Sequence, residues 1–326
     1  MHYQLNVKAP LGVFTLKKGV IKMSMKNKNR KAYYFLIPAI ISIFIFTIMP
    51  IVSTVYYAFT DYTQYSKGDI NFVGLANFKE VLAGPFKETF LPVFGWTLIF
   101  ALISTLGCFL LGLLLALALN NSNIRERGFY KGILILPWAL PATVAILSFQ
   151  GLFNGSYGQI NNMLMQLNLI EEPIKWLTDP NLARASILIV NIWLGFPYMM
   201  NVCLGSLSAI PEVYYEAAMV DGASKWKQFT NITVPSIAKT AYPLLISSFA
   251  FNFNNFGSAY LITLGNPPRL TTQFAGYTDI LASVNYKLSI QFGRFEIASA
   301  LSIIIFIIIA SISFVQMKAS GQFEEV

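Results

Sequence analysis

Charged residues are scarce in this sequence of 326 residues. Asp, Glu, Lys and Arg together make up 12% of it and hydrophobic residues 55%, whereas an average soluble protein has about 25% charged residues. Six stretches of 21 residues or more contain none of the four charged types. Because about 20 apolar residues are enough to cross a bilayer, the composition predicts an integral membrane protein.

The uncharged stretches predict six transmembrane helices and therefore an all-α fold. The alternative is a set of buried helices in a large soluble core, which would need polar faces and charged ends that these stretches lack. The predicted spans are approximately residues 33–57, 94–119, 133–153, 186–207, 240–262 and 297–317.

The distribution of Lys and Arg predicts the orientation. Six spans place both termini on one side, and that side holds 15 of the 23 Lys and Arg residues. We therefore expect cytoplasmic N- and C-termini.

We interpret the basic tail as a topology signal and not as a nucleic-acid site. The first uncharged stretch is too long for a cleaved signal, so we expect this span to remain.

This topology predicts four regions of the chain. They are a basic cytoplasmic tail (1–31), the first span with an external loop (32–93), a core of five spans with a cytoplasmic loop at 208–239 (94–317), and a cytoplasmic C-terminal tail (318–326).

Groups that perform covalent chemistry are rare as well. The one histidine, His2, lies in the N-terminal tail, and the two cysteines, Cys108 and Cys203, lie in predicted spans without the spacing of metal ligands. The phosphate-binding pattern G-x-x-x-x-G-K-[ST] does not occur. We expect no catalytic site, metal or cofactor in this chain. If ATP drives its action, another chain binds the nucleotide.

The loop 208–239 is better organised than a simple connection. Pro211 and Glu212 suit the start of a helix, and Gly222 suits its end. Between them Val213, Ala217 and Val220 recur at helical spacing. These features predict a short amphipathic helix, which could also lie in the lipid interface.

The same loop contains E-A-A-x3-G-x9-I-x-V-P, beginning at Glu216. This pattern resembles the loop signature of permease subunits of bacterial ABC importers, with Val where Leu is usual. The resemblance implies that the helix docks on an ATPase subunit and passes its movement to the membrane helices. The residues concerned would be Glu216, Ala217, Ala218, Gly222 and Pro235.

Three further stretches resemble the MalF-type permeases of maltose/maltodextrin ABC importers: 134–161, 190–200, and 248–256 followed by 275–281. The resemblance implies a type I importer permease fold, a MalG-type second permease subunit and a dimer of ATPase subunits that use ATP and Mg. It also implies an extracellular sugar-binding protein. The first external loop is short, as in bacteria that tether this protein to the membrane, so we expect a lipid-anchored one.

By this resemblance, seven residues correspond to positions that contact sugar: Trp138, Asn191, Gly195, Tyr198, Ser248, Asn252 and Asn255. On an ideal helix Ser248, Asn252 and Asn255 lie within about 60° of one another. Amides both donate and accept hydrogen bonds, which suits the hydroxyls of a neutral sugar.

Other interpretations of these residues compete with sugar binding. Asn and Ser within a membrane more often form hydrogen bonds between helices, and we assign Asn254, which lies off the stripe, to that role. Phe249, Phe253, Phe256 and Tyr260 form an adjacent aromatic stripe, which we expect to cover the apolar faces of glucose rings.

Other classes of protein fit less well. A secondary transporter or channel would carry carboxylates within its spans or an inverted repeat, and an intramembrane enzyme would need an ionisable cluster. The sequence shows neither. Among importers, galacto-oligosaccharides and other plant-derived glucans remain possible substrates. Glycerol phosphate would require a cationic residue in the spans.

Overall fold

The computed structural model describes residues 34–319 except 67, 122, 123 and 273. The predicted tail 1–31 and most of the tail 318–326 lie outside these residues. The chain divides after Tyr56 into two compact units. The described residues form helices and two isolated β-bridges, with no strand among them. The all-α prediction is therefore confirmed for this part of the chain.

The first unit is formed by most of helix α1 (Tyr34–Ala58), which contains a π-helical turn at Phe44–Ile48. Three of its hydroxyl side chains bond within the helix itself. Ser42, Ser53 and Thr54 donate to the carbonyl four residues earlier at 2.9 to 3.0 Å. The helix therefore needs no outside partner for these hydroxyls in an apolar environment.

The second unit contains the remaining helices. They are α2 (Ala76–Leu82), α3 (Lys87–Leu119), α4 (Arg127–Ala139), α5 (Ala142–Leu152), α6 (Gln159–Gln166), α7 (Pro180–Ser208), α8 (Glu212–Val220), α9 (Lys225–Gln228), α10 (Val234–Phe253), α11 (Phe256–Leu261), α12 (Leu281–Tyr286) and α13 (Phe295–Ala319). Two further π-helical turns, Phe229–Thr233 and Lys287–Gln291, precede α10 and follow α12.

Helices α3 and α7 pack closely because small residues lie where they meet. A Cβ atom on Gly112 of α3 would lie 2.6 Å from the backbone nitrogen of Met200 on α7, and one on Gly107 would overlap Ile192. The contact at Gly112 leaves room only for glycine, because the neighbouring atom belongs to the backbone and cannot move aside. Helix α7 begins where Asp179 Oδ1 accepts hydrogen bonds from the N–H groups of Asn181 and Leu182, both at 2.9 Å.

A buried carboxylate organises the segment between α11 and α13. Asp279 accepts hydrogen bonds from the Gly276 N–H and the Ser283 hydroxyl, both at 2.7 Å, and from the Lys287 ammonium at 2.6 Å. Its side chain is fully buried. Three donors compensate for removing this charge from water, so the loop is held against α12.

The number of spans is confirmed only in part. Four described helices, α1, α3, α7 and α13, are long and apolar enough to cross a membrane, and the α4–α5 pair would be a fifth. The predicted span 133–153 is not a single straight helix, because α4 and α5 meet at 89°. Leu140 is extended, as residues before proline usually are, and Pro141 lacks the N–H that would continue the helix.

The predicted span 240–262 is also interrupted. Helix α10 ends at Phe253, and α11 begins only at Phe256. The Asn255 side chain accepts a hydrogen bond from the Ser258 N–H at 3.4 Å and so caps α11. The six-span count depends on this broken segment and stays a prediction, as does the orientation of the termini.

The short helix predicted in the loop 208–239 is present. Helix α8 occupies Glu212–Val220, directly after Pro211. Gly222 follows it with a φ of +72°, a left-handed conformation that glycine adopts without strain.

Candidate functional site

The second unit contains a cavity of about 520 Å³ between the α4–α5 bend, α7, α10 and the α10–α11 break. All seven residues predicted to contact sugar line this cavity. They come from four segments of the chain, so the fold brings together positions that lie up to 117 residues apart in sequence, from Trp138 to Asn255.

Three amide side chains are hydrogen-bonded to each other along one wall of the cavity. Asn255 donates from Nδ2 to Asn191 Oδ1 at 2.9 Å, and Asn191 donates from Nδ2 to Asn252 Oδ1 at 2.8 Å. Asn252 Nδ2 in turn donates to the Ser248 carbonyl at 2.9 Å and to Thr105 Oγ1 at 3.3 Å. We call Asn191, Asn252 and Asn255 the amide cluster. It connects α7, α10, α11 and α3.

The amide cluster both joins helices and faces the cavity. Asn191 and Asn252 are only 5% and 4% exposed, yet both line the cavity. Their mutual hydrogen bonds remove the cost of placing amides in an apolar region. The two interpretations that the sequence left open are therefore compatible.

The position of Asn255 differs from the ideal-helix prediction. Asn255 lies in the break after α10, outside a continuous helical stripe with Ser248 and Asn252. It still reaches the cluster because its amide bonds to Asn191. Asn254 ends α10 with an exposed side chain that makes no hydrogen bond to the described residues, so its predicted interhelical role remains untested.

The aromatic wall of the cavity is not the stripe that the sequence suggested. Phe253 is fully buried in the core, and Tyr260 packs on Phe256 and Tyr286. Trp138 and Tyr198 line the cavity instead, with ring centroids 6.2 Å apart. Phe251, which lies outside the predicted stripe, is 69% exposed and also lines the cavity.

Ten further residues line the cavity, and the sequence did not indicate them because they belong to separate segments that only the fold brings together. They are Cys108, Ala142, Thr143, Ile146, Leu194, Met199, Leu244, Ser247, Gly257 and Ser258. No residue that lines the cavity is Asp, Glu, Lys, Arg or His. The cavity therefore offers amides, hydroxyls and aromatic faces. This set suits a neutral polar ligand with apolar faces.

Gly195 has a packing role beside its place in the cavity. A Cβ atom at this position would lie 2.6 Å from Cys108 Sγ on α3. The thiol itself lies against α7, 3.9 Å from the Asn191 carbonyl and 3.8 Å from that of Ile192. Gly195 thus allows α3 and α7 to approach beside the amide cluster.

The predicted coupling residues lie together on a separate, exposed segment. Glu216, Ala217, Gly222 and Pro235 are exposed, and Ala218 is partly buried. Among the described residues, none covers Val213 and Val220 of α8, which are 66% and 88% exposed.

One contact ties α8 to the start of α10. The hydroxyls of Tyr215 and Thr233 are 2.8 Å apart, and Thr233 is the last residue before α10.

No group of three His, Cys, Asp or Glu that could hold a metal ion occurs in the part of the chain that the structure describes.

Comparison with known proteins assigns this architecture to a family. The model of the family described as "Binding-protein-dependent transport system inner membrane component" matches residues 108–320. Proteins named maltose/maltodextrin transport system permease protein MalF are similar in sequence. The relative from Vibrio vulnificus (strain YJ016) is 42% identical over 258 residues, which are 78% of this chain and 49% of the relative.

The relative from Escherichia coli (strain K12) is 42% identical over 252 residues, 76% of this chain and 49% of the relative. The chain thus spans about half the length of the curated relatives it matches. A crystal structure of a bacterial ABC transporter involved in import of the acidic polysaccharide alginate has a similar fold. Its TM-score is 0.76 at 25% identity, covering 92% of this chain and 98% of that one.

A second alginate transporter structure includes an alginate pentasaccharide-bound periplasmic protein. It has a TM-score of 0.74 at 25% identity and covers 91% of this chain and 96% of the other.

The contact between Gly195 and Cys108 gives a test of the packing. We expect Gly195→Ala to lower the melting temperature of the purified protein, because the new methyl group overlaps Cys108 Sγ. Adding Cys108→Ala should restore it, since the nearest remaining atom, Cys108 Cβ, is 3.8 Å away. The control is Gly205→Ala on the same helix, where a Cβ meets nothing within 4 Å. Equal melting temperatures of the Gly195→Ala variant and the wild type would contradict this packing.

Proposed function

Because the chain belongs to the family of inner membrane components of binding-protein-dependent transport systems, we propose that it is the permease subunit of an ATP-driven ABC importer for neutral oligosaccharides, in the first place maltose and maltodextrins. The observation that carries this proposal is the uncharged cavity lined by all seven predicted contact residues. The names of the similar permeases support the choice of maltodextrins.

The chemistry of the cavity distinguishes neutral from acidic sugars. The similar solved structures belong to importers of an acidic polysaccharide. A carboxylate in a low-dielectric cavity requires a cationic partner or several donors. None of the residues that line this cavity is cationic, which supports a neutral substrate.

The aromatic residues suit the other face of the substrate. Trp138, Tyr198 and Phe251 present rings to the cavity, and such rings can cover the apolar C–H faces of glucose units. The cavity volume of about 520 Å³ falls within the usual range for small-molecule sites, roughly 300–1,000 Å³.

In the proposed assembly both termini and α8 face the cytoplasm. Helix α8 docks on one subunit of an ATPase dimer, a MalG-type permease completes the membrane part, and a lipid-anchored sugar-binding protein delivers substrate outside. The uncovered Val213 and Val220 support docking, because exposed apolar side chains on a short helix are suited to a partner surface. ATP and Mg belong to the ATPase subunits, and this chain performs no covalent step.

The chain itself supplies a mechanical route for alternating access. Movement of α8 is passed to α10 through the Tyr215–Thr233 contact and the intervening turn. The far end of α10 carries Ser248 and Asn252 into the cavity. A shift of α8 that follows ATPase closure therefore changes the cavity wall that holds the sugar.

Replacing Asn252 and Asn255 together by Ala tests the site. We expect the double variant to lose oligosaccharide uptake, because two amides that face the cavity disappear, while the complex still assembles. Uptake of radiolabelled maltotriose into cells measures the first effect and co-purification of the subunits the second. Asn254→Ala is the matched control and should retain uptake, since Asn254 does not line the cavity. Normal uptake by the double variant would refute the site assignment.

Glu216→Lys and Gly222→Val test the docking role of α8. The first reverses an exposed charge. The second forces a β-branched residue into a left-handed conformation, at a cost of roughly 1–2 kcal/mol. We expect each variant to lose co-purifying ATPase subunits or transport-coupled ATP hydrolysis.

The control for the charge change is Glu126→Lys, an exposed site outside the loop 208–239. If both α8 variants kept wild-type coupling, α8 would not be the docking element.

A further inference from the structure

The hydrogen bonds that join the amide cluster all run in the same donor-to-acceptor direction, from Asn255 through Asn191 to Asn252. Amide oxygen and nitrogen are alike in shape, so the partners at the two ends of the chain of hydrogen bonds decide which atom is which. At one end, the Asn252 atom 2.9 Å from the Ser248 carbonyl must be nitrogen, because a carbonyl can only accept. At the other end, the Asn255 atom near the Ser258 N–H must be oxygen, because that group can only donate.

These two backbone groups require the same direction along the whole cluster. If Asn252 directs its nitrogen toward Ser248, its oxygen faces Asn191, which must donate to it. The Asn191 oxygen then faces Asn255, which must donate in turn. This is the arrangement that the Ser258 end also requires.

Thr105 uses the second N–H of Asn252. Its hydroxyl oxygen accepts from Asn252 Nδ2 at 3.3 Å, and the side chain is 4% exposed on α3. Thr105 does not line the cavity, so it can act on a ligand only through Asn252. The Ser248 hydroxyl is the other nearby acceptor, at 3.4 Å.

The amide cluster has more unused hydrogen-bond acceptors than unused donors to offer a ligand. Both N–H groups of Asn252 and both of Asn255 are used, the latter by Asn191 and by the Ser258 hydroxyl at 3.3 Å. Asn191 keeps one N–H. Each of the three amide oxygens has one hydrogen bond and can accept another. Three acceptor positions thus remain beside a single donor.

We propose that Thr105 is a positioning residue that occupies the second N–H of Asn252, so that the amide cluster offers mainly acceptors, selects ligands that donate hydrogen bonds through hydroxyl groups and rejects carboxylates. The proposal rests on the proposed function and adds a cause for selectivity to it. A sugar hydroxyl can donate to the free oxygen positions. A carboxylate can only accept, and it would meet oxygen atoms without a compensating cation.

The experiment compares wild type with Thr105→Val and Thr105→Ser in the purified complex with its partner subunits and without the binding protein. Valine keeps the shape but removes the acceptor, and serine keeps the hydroxyl. Equilibrium binding of radiolabelled maltotriose is measured alone and in competition with a neutral glucose trimer or a trimer of uronic acid. Thermal stability of each complex is recorded in parallel.

We expect Thr105→Val to weaken maltotriose binding roughly three- to tenfold, the effect of one neutral hydrogen bond. It should also narrow the preference for the neutral over the uronic trimer, because the second Asn252 N–H is freed. Thr105→Ser should bind and discriminate like wild type. A change in stability alone would not alter the ratio between the two competitors.

Three results would overturn the proposal. They are unchanged affinity and selectivity in Thr105→Val, a serine variant that behaves like valine, and equal competition by both trimers in wild type. If Asn252→Ala abolished binding while Thr105→Val changed nothing, the proposed function would stand and this inference alone would fail. A wild-type complex that bound no maltotriose would contradict both.

Discussion

A buried amide in an apolar region must find hydrogen-bond partners, and the site of this protein depends on that requirement. Asn191, Asn252 and Asn255 satisfy one another and thereby hold α7 to α10 and to the start of α11. Small residues at the α3–α7 contact, among them Gly112 and Gly195, bring the helices close enough for this to occur. The groups that stabilise the helix contacts are thus also the polar groups of the cavity.

This double use explains how a cavity suited to sugar can exist in a membrane protein with no charge in its wall. Without a ligand the amides remain bonded to each other, and with a ligand they can exchange or share these bonds, so in neither state is an amide side chain left without any partner. Helix α10 connects this wall to Thr233 and through it to Tyr215 on the exposed helix α8. One wall of the proposed site and the proposed docking element therefore belong to one continuous stretch of the chain, residues 212–255.

The helical class, most apolar segments and α8 could be predicted from the sequence. The length of an uncharged stretch and the pattern from Pro211 to Gly222 are local signals. It also led, through a family resemblance, to seven residues that the fold does bring to one cavity. The 89° bend at Pro141 and the break at Asn254 and Asn255 were not predicted, because both depend on how the hydrogen-bonding groups at helix ends are satisfied by the surrounding structure. For the same reason the aromatic wall was misassigned: ideal helical spacing continues past Phe253, whereas the helix does not.

We propose that the amide cluster and its cavity form the sugar path. The most direct measurement is a cryo-electron microscopy structure of the assembled importer with maltotriose. We expect sugar density in the cavity of this chain. Its hydroxyl groups should lie within hydrogen-bonding distance of Asn191, Asn252 or Asn255, and a glucose face should lie against Trp138, Tyr198 or Phe251. Sugar bound elsewhere in the membrane part, with this cavity empty and the cluster unchanged, would contradict it.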